Sequence, residues 1–333
     1  MRTFELTRPT AIGDALEHHG ARDAFIGGGT NLIDLVKLGV MRPEQVVDIN
    51  GLGLDDIETL DDGRVRIGAR VSNADLARDD RIMRDYPVLS QALLSGASTS
   101  LRNMATTAGN VMQRTRCPYF RDTAMPCNKR SPGSGCSALT GINRNHAVLG
   151  GSEACIAVHP SDMCVAMAAI GGTVVLEGRK GQREVPFADF HLLPERHPEK
   201  EHDLHDDEMI THVILDAPQA GAASNYLKLR DRASYEFALA SCAAILTLDG
   251  DTVSSVRLAL GGVATKPWRA LDAEAALVGM EATTDSFEHA AVLAFQGAVP
   301  QSGNAFKVTL GQQAIVRSLR DAARALKAQG DRS

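Results

Sequence analysis

Sulfur donors gathered on one stretch of chain carry the most pronounced chemistry in this sequence. Of six cysteines, five fall between Cys117 and Cys164, and Cys242 stands alone. Burial as small hydrophobic residues would not cluster them in this way. Cys117, Cys127, Cys136 and Cys155 are separated by gaps of nine, eight and eighteen residues. That spacing matches neither the C-x-x-C pairs of zinc fingers nor the tight runs of bacterial ferredoxins. Four soft thiolates on one connected segment suit tetrahedral zinc or a cubane iron–sulfur cluster, and spacing alone leaves both open beside unligated thiols. Arg114, Arg116, Arg121, Lys129 and Arg130 would offset the negative charge of a thiolate-ligated cluster. Gly133 and Gly135 free backbone N–H groups to approach sulfur.

A second kind of chemistry lies in small-residue turns. In "FIGGGTNL", three glycines after an apolar run let a phosphate approach backbone N–H groups, and Thr30 and Asn31 add side-chain donors at a helix start. The motif is not a G-x-G-x-x-G fingerprint, because Leu32 stands where the last glycine belongs, and it has no P-loop lysine. A tight strand-to-helix turn without a ligand is the plain alternative. "TTAGNVMQ" (106–113) is a second such turn, suited to lying under a planar or phosphate-bearing ligand. In "HPSDM" (159–163), Asp162 either accepts from a ligand hydroxyl or caps the following helix, the cap being the default. Three such turns together favour a nucleotide ligand more than any one of them. Histidines 191, 197, 202, 205 and 212 lie in an acidic, irregular stretch and are read as a solvated loop. Lys228 and Tyr235 are placed to touch a ligand at a domain junction. There is no Ser-His-Asp set, no catalytic carboxylate pair and no helical H-E-x-x-H.

These residues need a scaffold, and the 333-residue chain is long enough for two or three domains. Its composition, 44% hydrophobic and 23% charged, is that of a globular protein. A net charge of -6 argues against a general electrostatic grip on nucleic acid. No apolar run has the length of a signal peptide or a membrane span, so folding in the cytoplasm is expected, with export only as a passenger on a partner. Periodicity predicts an opening β–Gly-rich turn–α–β unit, a strand at "RVRIG", and a helix capped by Ser72 or Asn73. "YPVLSQALLSGAS" is a further helix, "THVILDA" a strand, and "CAAILTLDGDTVSSVRLALGGV" a hairpin turning at "DGD". "QQAIVRSLRDAARALKAQG" closes the chain as an amphipathic helix with Ile315, Leu319 and Leu326 on one face.

"FIGGGTNLIDLVK", "ATTAGNVMQ", "HPSDMCVAMAAIGGTVVL" and "LALGGVATKPWRALDAEAALVG", in this order, resemble the FAD-binding subunit of molybdenum hydroxylases, the xanthine dehydrogenase and aldehyde oxidoreductase family. The likeness spans essentially the whole chain. It implies an α+β fold: a two-subdomain, PCMH/VAO-type FAD-binding domain over 1–218, with subdomains of about 1–55 and 56–218. An antiparallel-sheet and helix domain like the CO dehydrogenase flavoprotein C-terminal domain would cover 223–330. A cysteine-rich stretch of about 114–157 resembles the insertion of a subgroup typified by periplasmic aldehyde oxidoreductase, whose FAD subunit also holds a [4Fe–4S] cluster. By that likeness Cys117, Cys127, Cys136 and Cys155 would be cluster ligands, and Cys164 a core residue. Ile26, Gly27, Gly28, Gly29, Thr30, Asn31, Leu32 and Ile33 would wrap the FAD pyrophosphate, and Thr107, Gly109 and Asn110 would line the flavin and its phosphates. Asp162 would hold a flavin-chain hydroxyl, with Ile210 and Lys228 flanking the isoalloxazine.

The resemblance further implies a redox subunit working with a molybdenum-cofactor large subunit, a [2Fe–2S] small subunit and an external electron acceptor. The complex would be periplasmic, exported by a signal on a partner. The alternatives are a stand-alone FAD-dependent NAD(P)H reductase with a structural metal site, and a zinc-stapled nucleotide-binding module.

Overall fold

The computed structural model describes residues 2–330. The chain opens with β1 (Glu5–Thr7), α1 (Ile12–Glu17), β2 (Ala24–Ile26), α2 (Leu32–Lys37) and β3 (Gln45–Asp48). The strands form a parallel sheet of order β1-β3-β2, in which Val46 is matched with Leu6 on one side and Ala24 on the other. Val46 and Val47 are fully buried, as a short apolar run in a parallel sheet should be. The Gly-rich turn is thereby fixed between β2 and α2.

The second sheet is antiparallel and interrupted. β4 (Ile57–Thr59) and β5 (Val65–Gly68) precede a helical excursion, after which β6 (Gly172–Gly178), β7 (Gly181–Pro186) and β8 (Glu208–Leu215) complete the order β4-β5-β8-β6-β7. The excursion runs through α3 (Asn73–Arg78), α4 (Asp80–Asp85), α5 (Pro87–Ser95), α6 (Thr99–Met104) and α7 (Thr107–Val111). Most of these helices are short and start on side-chain caps: Ser72, Asp79, Ser98 and Thr106 each accept a backbone N–H of the first turn. Pro87 sits in the first turn of α5, where its missing N–H is not needed.

Past α8 (Pro118–Arg121), the chain is irregular until α9 (Asp162–Ile170). Met163 through Ile170 are all buried, because α9 packs on α5 and on strands of the third sheet. A helix that is apolar all round therefore lies between two layers. The third sheet is antiparallel, β12-β11-β10-β9, made of β9 (Ala223–Leu229), β10 (Ala240–Asp249), β11 (Thr252–Gly261) and β12 (Trp268–Arg269). After α10 (Phe187–Phe190), the remaining helices α11 (Leu271–Leu277), α12 (Thr284–Leu293) and α13 (Phe306–Gly330) belong to this last unit, where α13 packs on β10 and β9. Ile315 and Leu319 of α13 are fully buried, and Leu326 packs partly against the same core.

The segment 191–207 departs from the expected solvated loop. His191 is 3% exposed and its Nε2 bonds the Val111 carbonyl at 3.1 Å. Its ring meets those of His159, Phe187, Phe190 and His202 at centroid distances of 4.6 to 5.4 Å. Only His197 and His205 point to solvent as the polar composition suggests. Burial pushes His159 down to about 3 and His202 to about 4, so these imidazoles are neutral.

Candidate functional site

The Gly-rich turn and the second small-residue turn lie against each other. A Cβ on Gly28 would stand 1.6 Å from the Met104 carbonyl oxygen, and one on Gly27 would stand 3.1 Å from Thr106 Oγ1. Contact between two stretches of this chain thus requires a glycine at position 28. Gly29 has φ +71°, which favours glycine on conformational grounds.

Beside this contact opens a cleft of about 520 Å³. Thr30 and Asn31 line it from the start of α2, Gly109 and Asn110 from α7, Asp162 from α9 and Lys228 from β9. "TTAGNVMQ" is not a simple turn: Thr106 caps α7, accepting from Gly109 N at 3.2 Å. Asp162 is not the cap of α9. Ser161 is, accepting from Cys164 N at 3.0 Å, which leaves the Asp162 carboxylate free. That carboxylate takes the Lys228 ammonium at 2.7 Å and the Tyr226 hydroxyl at 2.6 Å, tying the start of α9 to β9 of the third sheet. Burial, and then the adjacent Asp162 charge, hold the Tyr226 hydroxyl well above its ordinary pKa, so it stays a donor.

Several of the resemblance-derived residues do not line the cleft. Thr107 is fully buried and donates to the Val71 carbonyl at 3.0 Å. Of residues 26–33, only Thr30 and Asn31 line the cleft, while Ile26, Gly27, Gly28, Gly29, Leu32 and Ile33 do not. Ile210, on β8 opposite Leu176, is 5% exposed inside the main core and is not among the residues lining the cleft. Other cleft residues carried no motif: Asn73 just inside α3, Arg102 on α6, and Arg116, Arg232 and Phe237 on irregular backbone.

The cleft suits an anionic, polar ligand. Arg102, Arg116, Arg121, Arg232 and Lys228 face it against Asp34, Asp162 and Glu236, a local excess of positive charge on a chain of net charge -6. Asn31 Nδ2 and Asn73 Oδ1 are buried there without hydrogen-bond partners among the described residues. Orphaned polar atoms in a cleft are what a ligand would satisfy, and the residues present fit a dinucleotide.

The four cysteines expected as ligands converge. Cys117, Cys127, Cys136 and Cys155 line one small void together with Tyr119, Phe120 and Pro126. Cys127 and Cys136 are partners in an isolated antiparallel bridge, Cys117 caps the start of α8, and Cys155 accepts from Ala157 N at 3.4 Å. All four are free thiols. Burial pushes Cys117 up to about 12 and Cys155 to about 11, and each feels the sulfurs of its neighbours. Desolvated thiols at Cys117 and Cys155 would ionise readily beside a bound cation.

Tetrahedral zinc would hold sulfurs about 3.8 Å apart, from a Zn–S bond of about 2.3 Å. Among the described residues, His159, Cys164 and His191 form the one group of three or more candidate ligands lying within 4.8 Å of one another. Cys117, Cys127, Cys136 and Cys155 do not form such a group. Cys164 itself is fully buried in the core.

Most basic residues of this segment also have partners of their own, while Lys129 still acts on Cys155, lowering its pKa against burial. Arg114 and Lys129 both meet Glu201, at 2.5 and 3.1 Å. Arg121 pairs with Asp34 at 2.6 Å, and Arg130 donates to the Tyr119 and Phe120 carbonyls at 2.8 Å. Arg116 lies over the Phe237 ring at 5.5 Å. The two sites adjoin: Arg116 lines the large cleft, and Cys117, the next residue, lines the sulfur void. A further space of about 240 Å³, bounded by Arg116, Cys117, His146, Asp162 and Phe237, lies between them.

Comparison with known proteins agrees with this geometry. Residues 2–218 match the FAD binding domain in molybdopterin dehydrogenase, and residues 225–322 match the CO dehydrogenase flavoprotein C-terminal domain. The chain is 52% identical over 302 residues to the aldehyde oxidoreductase FAD-binding subunit PaoB of Escherichia coli K12, covering 90% of this chain and 91% of that one. It is 27% identical to the glyceraldehyde dehydrogenase medium chain of Sulfolobus acidocaldarius, covering 85% and 83%. Among solved structures, carbon monoxide dehydrogenase from Hydrogenophaga pseudoflava superposes with a TM-score of 0.76 at 26% identity, over 98% of each chain.

Proposed function

Because the chain belongs to the FAD-binding subunits of the molybdenum hydroxylase family, we propose that it is the FAD- and [4Fe–4S]-containing electron-transfer subunit of a heterotrimeric molybdenum aldehyde oxidoreductase. The partners would be a molybdenum-cofactor large subunit and a [2Fe–2S] small subunit, with an external acceptor taking the electrons. When bound, FAD exchanges electrons singly or in pairs and an iron–sulfur cluster exchanges one at a time. The observation that carries the reading is the meeting of four cysteines in one void, a single residue along the chain from the wall of a cationic, dinucleotide-sized cleft.

The chain's own residues would bind, orient and shield. Thr30, Asn31, Gly109 and Asn110 would face phosphate and flavin groups, with the Gly27–Gly29 turn and the buried Thr107 fixing their positions. Asp162 would accept from a hydroxyl of the flavin chain while held by Lys228 and Tyr226. Cys117, Cys127, Cys136 and Cys155 would ligate the cluster, and Phe120 and Pro126 would keep water from it. The likeness to the PaoB subunit supports an aldehyde as the substrate of the complex. Its subgroup supports a periplasmic location reached by co-export; no helix among the described residues is long and apolar enough to cross a membrane.

Coexpression with both partners tests this. Purified complex should show flavin bands over a broad iron–sulfur absorption, with four irons per flavin beyond those of the [2Fe–2S] subunit. Flavin without that additional iron would return the reading to a plain flavoprotein, and zinc in its place would support the stapled alternative.

A further inference from the structure

His146 lies within the cysteine-rich stretch but is not one of its cysteines. It is 3% exposed, and its Nε2 stands 3.1 Å from the Cys117 sulfur. Its Nδ1 is buried with no partner among the described residues. The backbone here is pinned: His146 N donates to the Asn143 carbonyl at 2.9 Å, and the His146 carbonyl accepts from Asn304 Nδ2 at 3.2 Å. The imidazole is therefore held against one sulfur by the fold.

The two tautomers differ sharply in this setting. With the proton on Nδ1, a buried N–H goes unpaired while the Nε2 lone pair confronts a thiolate. With the proton on Nε2, the N–H points at the sulfur and only a lone pair is left unsatisfied. The second is favoured once Cys117 is a thiolate. Lys307, also fully buried, donates to the Gly262 carbonyl at 2.7 Å.

We propose that His146 Nε2–H donates a hydrogen bond to the Cys117 sulfur and thereby raises the reduction potential of the cluster on the side facing the flavin cleft. This rests on the cysteine reading given under Proposed function. Reduction adds negative charge that is shared with the ligating sulfurs, so a donor at sulfur stabilises the reduced form more than the oxidised one. Cys117 is also the ligand bonded directly to a residue of the cleft wall, and it shares the intervening space with His146. His146 is a positioning residue: it acts through the sulfur and touches neither substrate nor flavin. A cluster tuned on its flavin side serves as a redox partner of the flavin, whereas a structural staple has no need of tuning.

The test is a potentiometric titration of the cluster, followed by electron paramagnetic resonance, on the intact complex carrying wild-type chain, His146→Leu or His146→Gln. Iron and flavin are counted in parallel. His146→Leu should lower the reduced-to-oxidised ratio at a fixed potential about tenfold, a midpoint shift of about 59 mV for a one-electron couple. His146→Gln, which keeps an N–H donor of similar reach, should recover most of that shift. A loaded His146→Leu protein with the wild-type midpoint overturns the proposal, as does a glutamine variant shifted as far as the leucine one. Loss of iron from both variants makes His146 structural and overturns it too; loss from the leucine variant alone, with a near-wild-type midpoint in the glutamine one, supports it. Wild-type complex without the additional iron sinks the cluster reading itself, which separates the two failures.

Discussion

The large cleft and the sulfur void are built on opposite plans. The cleft takes its walls from many remote stretches, among them those around residues 30, 73, 102, 116, 162 and 228, so it exists only when the whole chain is assembled. The void takes its four cysteines from one stretch, 117 to 155, folded back on itself through the Cys127–Cys136 bridge. The first depends on backbone turns and small residues, the second on side-chain identity. They meet at α2, whose start faces the cleft while Leu35 packs with Phe120 and Cys127. Damage should therefore pass easily from fold to cleft and poorly from void to cleft.

The largest expected effect breaks the void alone. Cys127→Ser exchanges a soft ligand for a hard one within a buried, four-sulfur set. Iron assigned to this chain should fall to near zero while flavin stays close to one per chain, both read by metal analysis and absorption. Retention of iron would remove Cys127 from the ligand set; simultaneous loss of flavin would show that the void supports the cleft.

The reciprocal lesion is Gly28→Ala. Its methyl group would stand 1.6 Å from the Met104 carbonyl, so the Gly-rich turn and the stretch leading into α7 must separate. Flavin content should drop severalfold while iron is largely kept. Normal flavin binding would mean that the two turns can part without consequence, and the cleft would not depend on their contact.

Much of this was legible in the sequence, and the exceptions have physical causes. The opening unit, the strand at 65–68, α3, α5, the β10–β11 hairpin and α13 followed from periodicity and caps, since those signals are local, whereas α7 was read as a turn. The cysteines stood out by type, whereas their convergence depends on a chain path that spacing does not encode. At the start of α9 two good capping residues compete, and composition alone does not choose between Ser161 and Asp162. Ser161 wins the cap, which frees Asp162 for Lys228. The basic residues of the cysteine segment looked unpaired because their partners, Asp34 and Glu201, are distant in sequence. His146 gave no signal at all, since a lone histidine acquires meaning only from the atom it faces.

A third lesion probes the joint between α9 and β9. The side chains of Lys228 and Asp162 are 4% and 10% exposed. Removing one partner of such a buried pair costs about 3–5 kcal/mol, because the other charge is left uncompensated. Lys228→Met should lower stability by about that amount in urea unfolding and weaken flavin retention. The double variant with Asp162→Asn should be less destabilised than Lys228→Met alone. An additive double variant would show that Tyr226, not the ion pair, holds the joint.

The mildest test uses acid on the clamp between the 191–207 segment and the cysteine stretch. Burial would raise the Glu201 pKa, but the Arg114 and Lys129 charges overcome it and hold the carboxyl at about 2 instead of 4.5. The unfolded chain therefore binds more protons between those values, so the Glu201 contribution is complete above pH 4.5 and is lost as pH falls toward 2. A difference of that size is on the order of 3 kcal/mol. His202 works in the same direction but earlier, because burial holds it neutral down to about 4 while the unfolded imidazole takes a proton below its ordinary 6.5. Comparison with Glu201→Gln separates the two. The variant should be less stable than wild type at pH 7, and the gap should close between pH 4.5 and 2 while the histidine slope persists in both. Acid loss of iron would affect both proteins alike, so the difference between their urea midpoints isolates the carboxyl. A gap that stays constant across that window would mean Glu201 is held by packing and not by the two cations, and the clamp on the cysteine stretch would lose its electrostatic basis.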